Sequence, residues 1–172
     1  MSSVKKSGEY MKPFIGVLAA ASAMMAGEAQ AASCWSDTAY QAAQIRDLDT
    51  MLMVATLRCR LKGTDFSSDY NRFVVNKRPI LSAANIEIQS AFSQTVGRAR
   101  ALGAYDDLMT KIANSYGSGV AGMNCADFAT LTKSAADAPA LRNSVVALAE
   151  QVGSKPPVPA LRCDTQIALN QK

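Results

Sequence analysis

The chain of 172 residues carries 18 Lys and Arg against 14 Asp and Glu, a formal net charge of +4, and no histidine. So mild a basic excess argues against a nucleic-acid partner and against strong attraction to a membrane. The missing histidine removes the commonest general base, proton shuttle and metal ligand together, so neither a metal nor another cofactor is expected.

Residues 1–31 read as an export signal. Lys5, Lys6 and Lys12 supply a basic region, Phe14–Met25 an apolar run, and Ala29-Gln30-Ala31 a small-x-small cleavage site. Twelve apolar residues rise only about 18 Å as a helix, short of a hydrocarbon core of about 30 Å. A membrane anchor is therefore disfavoured, and no transmembrane span is expected in the mature chain. Met11 offers an alternative start, because residues 11–31 make a compact signal by themselves. A lipid-modified Cys34 is also disfavoured: Ala31-Ala32-Ser33 precede it, without a bulky aliphatic residue three places ahead. The expected organisation is a signal peptide at 1–31, a helical bundle domain at 32–153 and a Pro-containing tail at 154–172. The expected location is the periplasm or the exterior of a bacterium.

Ser36-Asp37-Thr38 can cap a helix. From Ala39 to Cys59, Ile45, Leu48, Leu52 and Cys59 share one face, widened by Met51, Val54 and Ala55; Gln44, Arg46 and Asp47 lie away from it. Gly63 ends this helix. Asp65 or Ser67 starts the next, with a stripe of Phe66, Tyr70, Phe73 and Val74. Pro79 should interrupt it, since proline lacks a donor and disfavours helical geometry before it. From Ile80, Leu81, Ala84, Ile88, Ala91, Phe92, Thr95, Ala99 and Leu102 predict a helix closing at Gly103. Tyr105, Leu108, Met109, Ile112 and Tyr116 mark another, stopped at Gly117. Asn124 caps a helix over Cys125–Asp137, with Phe128 and Leu131 inward. Leu141, Val145, Leu148 and Val152 define the last helix, ended by Gly153. No alternation is long enough for a strand. The fold class is all-α, a single-domain bundle of five or six helices.

Lys155-Pro-Pro-Val-Pro159 is an extended stretch that packs poorly alone. Cys163 just beyond it makes the tail a strap tied back to the body. An even number of cysteines after an export signal implies two disulfides. Their gaps of 25, 66 and 38 residues are unlike the close pairs of zinc sites, and a cysteine nucleophile lacks a histidine partner. Of three possible connectivities, Cys34 with Cys59 is disfavoured. The helix between them spans about 33 Å, whereas a disulfide needs Cα atoms about 5.5 Å apart. Cys34–Cys163 with Cys59–Cys125 is preferred, because it pins the chain ends and ties the first helix across the Gly-rich 117–122 loop.

Gly117-Ser118-Gly119-Val120-Ala121-Gly122 matches GxGxxG, but no strand precedes it, so a helix-to-helix connection is the expected role. Asp106 and Asp107 fit a helix first turn, and Asp47 and Asp49 do not share a helix face. Thr130 and Lys133 stand one turn apart, as a hydroxyl nucleophile and its amine base would, yet solvated surface is the ordinary role of such a pair. Arg58, Arg60, Lys62, Lys77 and Arg78 can converge into a basic corner if the second helix folds against the end of the first. Trp35 either packs on the disulfide and core or, if exposed, marks a partner surface.

The functional expectation is an exported, non-enzymatic helical module that binds a protein or an anionic envelope component. A carboxylate-based hydrolase of envelope glycan is the alternative from another class, and it requires two acids facing across a cleft. A structural subunit of an envelope assembly is a third. The oligomeric state has no signature in the sequence.

Overall fold

A computed structural model describes residues 34–160 together with 162 and 163. The expected export signal, its expected junction after residue 31 and most of the tail beyond Ala160 lie outside the described residues. Five helices follow in order: α1 Asp37–Arg60, α2 Ser67–Val96, α3 Arg98–Ser115, α4 Cys125–Asp137 and α5 Arg142–Gln151. The only extended pairing among the described residues is a single bridge between Trp35 and Arg162. No described helix is long and apolar enough to cross a membrane.

The bundle is assembled around α1, which packs against each of the other four helices. Ser36 caps it, its Oγ accepting from the Ala39 N–H at 3.2 Å. Asp37 in the first turn and Arg58 and Arg60 in the last complement the helix dipole. Ala42, Ala43, Ile45, Leu48 and Leu52 are fully buried, and the two alanines let neighbouring backbones approach closely. Gln44 and Asp47, expected on the outer side, are buried as well. The strap after α5 covers them: Ser154 Oγ donates to Asp47 Oδ2 at 2.5 Å, and Gln44 Nε2 donates to the Ser154 carbonyl at 3.4 Å.

Two helix boundaries depart from expectation. Helix α2 runs straight through Pro79 for 30 residues. Before the proline, Asn76 Nδ2 donates to the Ala136 carbonyl at 3.5 Å and Lys77 Nζ to the Ala138 carbonyl, which pins α2 to the end of α4. After it, Leu81, Ala84, Ile88 and Phe92 are buried in one stripe. Pro79 itself is exposed, as is Val75, whose carbonyl loses its intrahelical donor. The next break comes at Gly97 rather than Gly103. Gly97 has φ 84° and ψ 153°, a conformation open to glycine, while Gly103 sits inside α3 with no such demand. The two helices expected on either side of Gly103 are thus one α2–α3 corner shifted by about two turns.

Helix α4 begins with a full capping box: Asn124 Oδ1 accepts from the Ala126 and Asp127 N–H groups, and Asp127 Oδ2 accepts from the Asn124 N–H. In α5, Val145 and Val146 are buried, whereas Leu141 precedes the helix and is 62% exposed. Both disulfides pair as preferred. Cys34–Cys163 has a Cα separation of 4.9 Å and Cys59–Cys125 one of 5.6 Å, and no described cysteine is free. The strap is therefore tethered to the start of the bundle.

Candidate functional site

The two disulfides stand at opposite ends of α1, and of the residues expected to contact a partner, Arg58, Arg60 and Lys62 lie at its C-terminal end. Arg58 turns onto the loop between α3 and α4. Its Nη2 donates to the Ser118 carbonyl at 3.0 Å and its Nη1 to the Tyr116 carbonyl at 3.5 Å. Gly119 makes this possible. Its φ is 99°, and a Cβ built there would stand 2.5 Å from Arg58 Nη1. The GxGxxG glycines thus serve a loop that receives a guanidinium, not one that cradles a pyrophosphate.

Beneath the loop lies a cavity of about 450 Å³. Arg58, Lys62, Cys59 and Cys125 line it, together with Phe128 and Met123. Arg60 and Arg78 are exposed. The basic corner is only partly realised. Lys77 is 1% exposed, with its ammonium on the Ala138 carbonyl, and burial pulls its pKa down against the opposing pull of Asp137. It is a tie between α2 and α4, so it leaves the corner. Trp35 leaves the contact surface too. It is fully buried, edge-on to Phe92 with ring centroids 5.2 Å apart.

What sequence reasoning missed lies on the outer side of α1. Met53, Leu57 and Leu61 are 37%, 49% and 88% exposed and follow one another at spacings of four. Such spacing places them on one helix face. The signal was present in the sequence, as three apolar residues off the stripe that Ile45, Leu48 and Leu52 define. Arg60 and Lys62 stand beside Leu61 in the chain, so an apolar ridge emerges from the bundle with cations at its tip.

The acids are otherwise engaged. Asp47 accepts from Tyr116 Oη at 2.9 Å as well as from Ser154, and Asp49 accepts from Arg46 at 2.5 Å and Tyr70 Oη at 3.1 Å. Burial raises both carboxyl pKa values, and these bonds hold them down only in part. Burial and the adjacent carboxylates in turn push Tyr70 and Tyr116 above the ordinary phenol range. None of the described cavities is lined by two acids. Asp106 and Asp107 are exposed in the middle of α3, not in a first turn. Thr130 Oγ1 donates back to the Ala126 carbonyl, and Lys133 Nζ to Asp137 at 2.7 Å, so these two do not form a nucleophile–base pair. Among the described residues no three His, Cys, Asp or Glu side chains could hold a metal ion. Neither a protein-family description, nor a curated protein, nor a solved structure matches the chain.

Proposed function

We propose that the chain is an exported, non-enzymatic helical module of a bacterium, periplasmic or secreted, that binds a protein or cell-envelope component through the C-terminal end of α1. The observation that carries this reading is the ridge of Met53, Leu57 and Leu61, which becomes steadily more exposed toward a tip bordered by Arg60 and Lys62. Apolar side chains set outward at helical spacing are anchors of the kind a partner surface buries. The cations beside them fit a partner whose apolar patch is edged with carboxylates or phosphates. Export is supported by the basic, apolar and small-x-small order of residues 1–31 and by two disulfides, which persist in oxidising compartments.

The test is capture from envelope extract by the oxidised protein and by a Leu57→Ser, Leu61→Ser variant, followed by affinity measurement on the enriched component. At least a tenfold weaker affinity of the variant, with unchanged melting, is expected. Equal affinity would remove the ridge from the interface. Sequencing the N-terminus of protein recovered from cells tests export, with a start at Ala32 expected.

A further inference from the structure

Four cysteines engaged in two disulfides suggest two inert staples, yet the two sit in different surroundings. We propose that Cys59–Cys125 is a thiol–disulfide exchange site that reacts with a dithiol. This goes beyond the binding reading and does not rest on it.

Access comes first. Cys59 is 4% exposed, whereas Cys125 is half-buried, and both line the cavity of about 450 Å³ under the 117–122 loop. An incoming thiolate therefore meets the Cys125 sulfur. Electrostatics come second. Cys125 is the first residue of α4, where the partial positive charge of the helix start favours a thiolate. The charged side chains lining the cavity are Arg58 and Lys62, and no carboxylate is among them. Asp127, the nearest acid in sequence, turns its carboxylate back onto the Asn124 N–H. Cations beside a cysteine lower its pKa, and a low-pKa cysteine makes the reduced form more stable and the disulfide more oxidising.

Cys34 and Cys163 are both half-buried and line a cavity of their own, so access does not separate the two bonds; the neighbouring charges do. That cavity, about 310 Å³, has Glu87 as its only charged lining residue, and Glu87 is paired with Arg142 at 2.9 Å. The Cys163 N–H donates to the Trp35 carbonyl at 3.0 Å, which fixes that bond to the buried tryptophan.

The chemistry balances with the dithiol as reductant. Its thiolate bonds to Cys125 Sγ; the Cys59–Cys125 bond breaks, and its electron pair leaves on Cys59 Sγ, which takes a proton. The partner's second thiolate then attacks the partner sulfur of the mixed disulfide and expels Cys125 as thiolate. Two electrons pass to the pair, and the dithiol becomes a disulfide. In the reverse direction the Cys59/Cys125 dithiol reduces a partner disulfide through the same mixed disulfide and is itself reoxidised.

The test uses the full oxidised protein in dithiothreitol buffers of graded reducing strength, quenched with N-ethylmaleimide and mapped by peptide mass. Cys59 and Cys125 should label together at a thiol-to-disulfide ratio at least tenfold below that which labels Cys34 and Cys163, while Trp35 emission stays native. In the selectively reduced protein, the alkylation rate of Cys125 should titrate below about 8.5, the ordinary thiol value, and Lys62→Gln should move that titration upward. Simultaneous labelling of all four cysteines, earlier labelling of Cys34 and Cys163, or a Cys125 titration at or above the ordinary value would each overturn the proposal.

Discussion

The two ends of α1 carry the same covalent bond and opposite surroundings. At the N-terminal end the aromatic and charged side chains near the disulfide are buried or paired. Trp35 is buried against Phe92, Arg162 donates to Asp37 at 2.7 Å and lies 5.1 Å over the Tyr40 ring, and Arg142 reaches the Thr38 carbonyl at 2.8 Å. At the C-terminal end Met53, Leu57 and Leu61 face outward, and the cavity that the disulfide lines has Arg58 and Lys62 as its charged residues, where the other disulfide's cavity has a paired Glu87. A disulfide's bond geometry is much the same everywhere; its neighbours decide whether it only fastens or also reacts. The closed end shows a clamp held by several independent contacts. The open end has one guanidinium bridging to a glycine loop.

The largest effects break the clamps themselves. Replacing Cys34 and Cys163 together by Ala releases a separation of 129 residues and is expected to cost about 5 kcal/mol; replacing Cys59 and Cys125, separated by 66 residues, about 4 kcal/mol in the chain-entropy picture. Urea unfolding of both variants reads the order, and a costlier open end would reverse the comparison. Gly119→Ala comes next. It strains a left-handed backbone and drives a Cβ into Arg58, for an expected loss of about 1–3 kcal/mol. Reduction of Cys59–Cys125 should speed up in that variant and that of Cys34–Cys163 should not.

A smaller effect joins the two ends through Asp47, which holds Tyr116 beside the loop and Ser154 on the strap. Burial raises the folded-state pKa of Asp47 and of Asp49. A folded carboxyl that keeps its proton more tightly than the unfolded one contributes stability fully below about pH 3.9, its unfolded value, and loses it as pH rises through the raised folded value. Stability from these groups should therefore decline from acid toward neutral pH. Asp47→Asn should flatten that decline, as read from urea midpoints across the range. The smallest stability effect belongs to Leu57→Ser with Leu61→Ser, within about 0.5 kcal/mol, because both side chains already face solvent.

Local signals made much of the bundle legible. Ser36 and Asn124 cap the helices they were expected to cap, and the length of α1 alone excluded Cys34 with Cys59. Apart from the break at Gly97, which is local, the failures share one cause: the deciding contact is distant in sequence. Pro79 cannot announce that Asn76 and Lys77 are anchored on the end of α4, 60 residues away or more. Gln44 and Asp47 look like a wet face until Ser154 covers them. The basic corner lost Lys77 for the same reason. The outward ridge is the converse case, since its spacing was visible and only the surrounding helices decide which stripe of α1 stays uncovered.

The central claim is that the closed end fixes the core and the open end does not. Trp35, the single tryptophan, reports on this directly. Its emission should be measured in native buffer for the oxidised protein and for the two double cysteine variants. The account predicts a blue, buried spectrum in the parent and in the variant lacking Cys59 and Cys125, and a red shift in the variant lacking Cys34 and Cys163. A red shift on losing Cys59–Cys125, or none on losing Cys34–Cys163, would contradict it.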